Sequence, residues 1–485
     1  MSVPGVADEQ RRAIQGAALR AELSPEQLWL RYFSLGGIAD PLEVEGFLSG
    51  LLPLPGLQCD LLAQAVNERL EEMLAADRAP YSRPLLGRPL HRPLQALVDL
   101  LNAAVVASPD QLGDAADSAG RLLGRGAVLY VIDHDQDWLV PVPMLDQTSL
   151  REPLAVDGTL AGQVFRSTVT AAVGGEQPRF WVPLRDGAVR VGVLDILLED
   201  AVDLLDVPLR EQCEALASAL AHLVVSTSVY GDALDALRRR TARTPAAELV
   251  WQLLPPTSAA TDSFTVAGWI LPTDRAGGDS FDYTLSTTTV TLAVFDAMGH
   301  GLRAGLIAAT ALGAYRSARR NGDDLAGQVR ALDAAVAAQF GDATFVTGVI
   351  AQLDLASGML QYVCAGHPAP LVLRQGKVVK PLRVSGDVPF GLGRAEVTLE
   401  QERLEPGDWL ALYTDGITEA RDGEGAFFGD DRLIDMLERH AGARVSLPET
   451  VRRLTRAVLA HQLGVLQDDA TIVLAAWAPL DVEAP

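Results

Sequence analysis

Val294-Phe295-Asp296-Ala297-Met298-Gly299-His300-Gly301 decides the reading of this chain. The apolar run Val290 to Phe295 stops at an aspartate followed by a Gly-rich stretch, so a buried strand ends in a carboxylate beside a loop that lets backbone approach a ligand closely. Three further places repeat the pattern. Ala276-Gly277-Gly278-Asp279-Ser280-Phe281-Asp282 follows Phe264 to Trp269, Thr414-Asp415-Gly416 follows Trp409 to Tyr413, and Gln467-Asp468-Asp469 precedes Ala470 to Trp477. Taken singly, each reads as a turn, because Asp-Gly and Gly-Asp are common turn dipeptides. Taken together, four acidic sites at strand ends suit a hard divalent cation with oxygen ligands. The seven His are scattered and HExxH is absent, which argues against zinc and for Mg2+ or Mn2+.

Upstream of this region the chain changes character twice. Ser24-Pro25-Glu26-Gln27 and Asp40-Pro41-Leu42-Glu43 each set a cap, a proline at the first helical position and an acid or amide at the third, so residues 1–80 read as a helical domain. Arg78 to Arg92, with three prolines and one glycine, reads as a linker. Residues 93–227 then read as a helix, strands at Ala127 to Ile132, Phe180 to Leu184 and Ala188 to Leu194, and a closing helix from Leu209 to Val225. Residues 228–255 read as a helical connector, interrupted at Pro245 and stopped by Pro255-Pro256. The cluster Arg238, Arg239, Arg240 and Arg243 reads as a solvated helix end.

The 93–227 block resembles a GAF sensor domain, on Val156-Asp157-Gly158-Thr159-Leu160-Ala161-Gly162 followed by Phe180-Trp181-Val182-Pro183-Leu184. That resemblance implies a small ligand or a dimerisation role, and the two remain equal alternatives. Cys213 is its one cysteine, so a covalent bilin has no obvious anchor.

With 485 residues, 40 Lys and Arg against 63 Asp and Glu give a net charge of −23, a field that repels nucleic acid and anionic membranes. Neither is expected as a partner. Three distant cysteines show no disulfide framework, and no apolar run approaches the ~20 residues of a membrane span, so a cytoplasmic location is expected.

The ordered series GGDSFD, FDAMGHG, ATFVTGVIAQLD, AGHPAPLVL, LYTDGITEA and DDATIVLA resembles the SpoIIE-type branch of the PPM metal-dependent protein serine/threonine phosphatases, from about Trp251 to Trp477. The resemblance implies an α/β/β/α sandwich over residues 256–480 and a multidomain α+β chain: N-terminal helices, GAF-like sensor, connector helix, C-terminal phosphatase. It also implies two Mn2+ or Mg2+ ions. Asp296 would bridge them with the Ala297 carbonyl as a further ligand, and Asp279, Asp415 and Asp468 would complete the shells. Asp469 is the less certain of its pair, and Asp282 is a ligand, an acceptor behind one, or a helix cap. His300 is a candidate general acid or a cap for the helix near Leu302. His367 reads as a turn or packing residue, and Arg275 as a phosphate contact or an exposed side chain. The Gly-containing stretch Arg421 to Asp431 reads as a mobile loop that gates substrate or merely connects.

The function expected from the resemblance is dephosphorylation of a phosphorylated STAS-class anti-anti-sigma protein in partner-switching control of transcription, set by the sensor, in a homodimer. The alternatives are a non-catalytic sensor scaffold and a hydrolase of small phosphorylated metabolites.

Overall fold

The computed structural model describes residues 4–72, 92–106, 108–144, 151–240, 242–271, 277–341, 343–386, 388–393 and 397–477. The proposed linker before Arg92 and the candidate Arg275 lie outside them. The chain divides into two compact units, Met1–Asn102 and Ala103–Pro485.

The first unit packs α1 (Pro4–Arg20), α2 (Pro25–Ser34), α3 (Pro41–Leu48) and α4 (Gly56–Glu72) around Ile14, Leu28, Tyr32, Phe47, Leu62 and Val66, with α5 (Arg92–Val106) beginning beyond them. Both capping boxes form. Ser24 Oγ accepts from Gln27 N at 3.2 Å and Asp40 Oδ1 from Glu43 N at 2.8 Å, each cap supplying about 1 kcal/mol of helix stability.

In the second unit, α6 (Leu112–Leu123) precedes β1 (Gly126–Ile132), β2 (Trp138–Pro141), β3 (Leu154–Ala155), α7 (Leu160–Ser167), β4 (Ala171–Val173), β5 (Arg179–Asp186), β6 (Val189–Leu197) and α8 (Val207–Thr227). The strands form an antiparallel sheet in the order β3-β2-β1-β6-β5-β4. One face carries Val128, Tyr130, Ile132, Trp181 and Val193 against Ala161, Val164 and Phe165 of α7. The opposite face takes α6, where Gly120 lies so close to Ala127 that a Cβ would stand 2.4 Å from its methyl carbon.

The connector differs from its sequence reading. Among its described residues only α9 (Ala233–Arg238) and α10 (Pro245–Leu253) are helical, and Pro245 opens α10 behind the Thr244 cap instead of interrupting a helix. The arginines are not a solvated helix end. Arg238 Nε donates to the Ile132 carbonyl at 2.8 Å, Arg239 Nη2 to Asp235 at 2.6 Å, and Arg243 lies 3.9 Å over Trp251. Acids, aromatic faces and carbonyls of neighbouring elements claim the side chains before water does.

The remainder is a four-layer sandwich. Its strands are β7 (Ser258–Ala260), β8 (Thr265–Leu271), β9 (Asp279–Leu285), β10 (Thr289–Ala297), β11 (Val346–Asp354), β12 (Met359–Ala365), β13 (Leu371–Arg374), β14 (Lys377–Pro381), β15 (Glu400–Arg403), β16 (Trp409–Tyr413) and β17 (Ala470–Ala476). One sheet runs β15-β12-β11-β10-β9 and the other β14-β13-β16-β17-β8-β7. Every pairing within them is antiparallel. Between the sheets lie Phe281, Val290, Leu292, Val294, Val349, Leu410, Leu412, Val473 and Ala475. Helices α11 (Gly301–Arg320) and α12 (Leu325–Phe340) cover the first sheet through Ala293, Phe295, Ile350 and Val363. After the one-turn α13 (Asp415–Thr418), α14 (Asp430–Gly442) and α15 (Leu447–His461) cover the second through Ala411, Tyr413, Ile472 and Leu474.

The Arg421 to Asp431 loop is pinned. Asp422 Oδ1 accepts from Glu424 N and Ala426 N at 2.9 Å each, Phe428 is buried, and His461 Nε2 meets the Ala426 carbonyl at 3.0 Å.

Candidate metal centre

Successive strand residues face opposite sides of a sheet, so the rows that fill the space between the sheets can be followed to their ends. The row Val290, Leu292, Val294 ends at Asp296. Phe281 leads back to Asp279, Val349 to Thr347, Leu412 on to Thr414, and Val473 back through Thr471 to Asp469. All these rows turn polar at one edge of the sandwich. The candidate site is that polar end of the inter-sheet core.

Asp296 and Asp279 are direct partners across β10 and β9, and Asp296 faces Thr347 across β11. Asp279 is buried, and its Oδ2 accepts from Thr414 Oγ1 at 2.9 Å and Thr471 Oγ1 at 2.5 Å. A carboxylate of one sheet is thus held by two hydroxyls of the other. Asp469, also buried, accepts from Gly278 N at 3.1 Å. Two glycines permit the approach: a Cβ on Gly416 would lie 1.8 Å from the Asp469 carbonyl oxygen, and one on Gly278 2.7 Å from the Ala297 carbonyl oxygen. Asp415 opens α13 and Asp468 precedes β17, both exposed at the rim.

These acids feel one another. Burial, then Asp415, Asp468 and Asp469, push the Asp296 carboxyl up to about 7. Burial, then Asp296 and Asp469, also raise Asp279 well above the ordinary carboxylate range, against the two threonine donors. Asp468 is raised by burial and by Asp415. No cationic side chain figures among the groups that set these three values. An oxygen-only donor set with crowded, uncompensated negative charge fits a divalent cation. Among the described residues, no three donor side chains close into a finished coordination shell.

Asp282 does not join them. It lies three residues past Asp279, hence on the opposite face, where Arg316 and Arg319 of α11 hold its two oxygens at 2.7 Å each. It is a structural ion-pair acceptor. His300 is exposed at the N-cap of α11 and makes no side-chain cap, leaving that helix without the acceptor expected of a capping residue. His367 is buried, with Nδ1 3.1 Å from Thr347 Oγ1. Thr347, Thr414, Thr471 and His367 carry no spacing signal as isolated residues; the phase of the apolar rows marks the three threonines.

Residues 286–478 match the family model described as Stage II sporulation protein E (SpoIIE). Among curated proteins, Protein IcfG of Synechocystis sp. is 29% identical over 147 residues, covering 30% of this chain and 23% of that protein. Phosphoserine phosphatase RsbU of Bacillus subtilis is 24% identical over 206 residues, covering 42% of this chain and 60% of RsbU. The match therefore spans less than two thirds of either relative. The solved structure of the RsbU and RsbW domains of Rv1364c from Mycobacterium tuberculosis is 25% identical, covers 47% of this chain and 64% of that chain, and superposes with a TM-score of 0.42. Over residues 286–478, this chain is similar to the Stage II sporulation protein E (SpoIIE) family.

Proposed function

We propose that the chain is a Mn2+- or Mg2+-dependent protein serine/threonine phosphatase. The observation that carries this is the convergence of Asp279, Asp296, Asp469 and the rim acids Asp415 and Asp468 on the polar end of one inter-sheet core. Asp296, the Ala297 carbonyl, Asp279, Asp415, Asp468 and Asp469 would hold two ions. When bound, such ions supply Lewis acidity that lowers the pKa of water and offsets charge on a transferring phosphoryl group. The protein's own part is positional. Asp279 is locked by Thr414 and Thr471, Asp469 by the Gly278 amide, and His300 stands exposed four residues beyond Asp296 as a proton donor to the leaving serine oxygen.

The substrate read from the family resemblance is a phosphorylated STAS-class protein, and the upstream block sets the activity as a GAF-like sensor. Two contacts support that second part. Ala246 of the connector lies against the metal-centre loop, where a Cβ on Gly277 would stand 3.0 Å from its own Cβ. Trp251, in edge contact with both His134 of the sheet block and Trp269 of β8, joins the two parts across the connector.

The test is turnover of a phosphoserine STAS domain and of a small aryl phosphate, with Mn2+ or chelator, beside Asp415→Asn. Mn2+-dependent turnover of the phosphoprotein, lost in the variant, is expected. Preference for the small ester would favour a metabolite hydrolase, and silence of well-folded protein towards both would favour a scaffold.

A further inference from the structure

Asp415 and Asp468, the two acids at the rim of the metal centre, are tied to one exposed surface. From Asp415 the chain runs through α13 into a hairpin over residues 421–427, where Asp422 N donates to the Ala426 carbonyl at 3.0 Å. Gly429 N, donating to the Thr418 carbonyl at 2.9 Å, brings the end of the hairpin back to α13. Asp468 lies at the end of the turn that follows α15, and Gln467 just before it donates through Nε2 to the Arg421 carbonyl at 3.3 Å. His461 Nε2, 3.0 Å from the Ala426 carbonyl, fastens hairpin and turn at a second point.

Phe427, Leu463 and Val465 stand on these fastened segments, 52%, 78% and 71% exposed. Leu463 lies over the hairpin, where a Cβ on Gly423 would stand 3.3 Å from its Cδ1. Its backbone makes it a costly place for a leucine. Gly464 N on the Leu459 carbonyl at 2.9 Å and Leu463 N on the Ala460 carbonyl at 3.2 Å close α15 in a Schellman turn, and Leu463 takes its left-handed position at φ +56°. Glycine or asparagine suits that position, and a bulky side chain there is an outlier. Stability alone does not place a leucine in this conformation with its side chain in water; a contact made by that side chain does. The charges around it have one sign. Arg421 lies over the Phe427 ring at 4.4 Å and Arg432 over the Phe428 ring at 4.6 Å, so the local cations are engaged by the surface itself, while Glu419, Glu424, Asp430 and Asp431 are exposed.

We propose that this ledge docks the protein substrate: Leu463, Val465 and Phe427 receive an exposed apolar side chain of a phosphoprotein whose phosphorylated serine or threonine lies at the metal centre, and the surrounding acids select a partner with Lys or Arg beside that apolar residue. This rests on the phosphatase reading of the site. The ledge is continuous with both rim acids, so a folded protein presenting its phosphate there covers it, whereas a small phosphate ester reaches the rim without touching it. The acidic fringe complements a basic partner surface and repels an acidic one. The hairpin is thus a fixed docking surface, held by Gln467 and His461 before any substrate arrives.

The test is turnover by the full-length protein at saturating Mn2+, with a phosphoserine STAS domain and a small aryl phosphate as substrates, beside melting and sedimentation. Leu463→Asn and Phe427→Ser are each expected to raise KM for the phosphoprotein about 10-fold, the loss of one well-placed interface side chain. Turnover of the aryl phosphate stays at the wild-type rate, and Leu463→Asn melts no lower than wild type. Leu205→Asn, at a leucine 83% exposed upstream of the connector, changes neither. Among short phosphoserine peptides, one with Leu and Lys near the phosphoserine is preferred to one with Ser and Glu, and Leu463→Asn narrows that preference. Unchanged KM in both variants, an equal loss on the aryl phosphate, or no preference between the peptides would overturn the proposal. A changed sedimentation coefficient in Leu463→Asn with unchanged KM would assign the ledge to a second copy of this chain and overturn it too. Wild-type protein that turns over neither substrate overturns the phosphatase reading and the docking surface together, and is told apart by appearing before any substitution.

Discussion

Arg190 on β6 and Glu449 on α15 meet at 3.0 Å with side chains only 5% and 3% exposed, joining the β1–β6 sheet to the C-terminal sandwich by a buried ion pair. Arg190 lies over the Phe165 ring at 4.7 Å and also donates to the Pro448 carbonyl. Glu449 further accepts from Arg452 and Arg453, and Arg452 reaches Asp157 at 2.9 Å. Burial pushes the Glu449 carboxyl up, but the bonds and charge of Arg452 and Arg190 outweigh it and leave it below the ordinary range.

The pair is asymmetric. Glu449→Ala strands buried Arg190 and deprives Arg452 of one acid, and it is expected to cost about 3–5 kcal/mol, as for a broken buried ion pair. Arg190→Ala leaves Glu449 with two other arginines and costs clearly less. Urea unfolding of the two variants checks the order.

Asp282 separates stability from metal binding. Asp282→Asn leaves Arg316 and Arg319 without their shared carboxylate and lowers the melting temperature, while Mn2+ affinity stays at the wild-type value. A large loss of Mn2+ binding with an unchanged melt would return Asp282 to the ligand set.

Metal-free protein should lose stability as pH rises. Asp296 keeps its proton in the folded state up to about 7, whereas the unfolded chain releases it near the ordinary carboxylate value of 3.8. The folded state then binds more protons across that window, so stability is highest below it and falls as pH climbs through 7. Melting scans between pH 5 and 8 in chelator should show the decline, Asp296→Asn should flatten it, and added Mn2+ should reverse it.

Gly416→Ala tests the closest backbone approach in the site. Its Cβ would sit 1.8 Å from the Asp469 carbonyl oxygen, a clash no side-chain rotation relieves. The variant is expected to lose Mn2+ binding and to melt lower, whereas Gly425→Ala, in open space at φ +88°, lowers the melt only and leaves Mn2+ binding intact.

Much of this centre was legible because strand-end aspartates beside glycines stand out against apolar runs. Asp279, Asp296, Asp415 and Asp469 all come to the same edge. Asp282 stands apart from the ligand candidates because three residues is an odd step along a strand, and an odd step changes face. The surroundings of the Arg238 to Arg243 cluster are not legible locally, because its partners Ile132, Trp138 and Trp251 come from other elements that charge patterning does not see. His367 reads as a turn or packing residue in the sequence, and its contact with Thr347 on another strand exists only once the sheet is assembled.

Asp279 has one foot in each half of the sandwich: it grows from one sheet and is gripped by Thr414 and Thr471 of the other. The centre therefore works as a gauge of inter-sheet registry. A slip of one sheet along the other dissolves the grip before it opens the core, so chemical competence should vanish earlier than bulk structure on mild denaturation. For the same reason, the two halves expressed as separate pieces have no site to share until they reassociate in register.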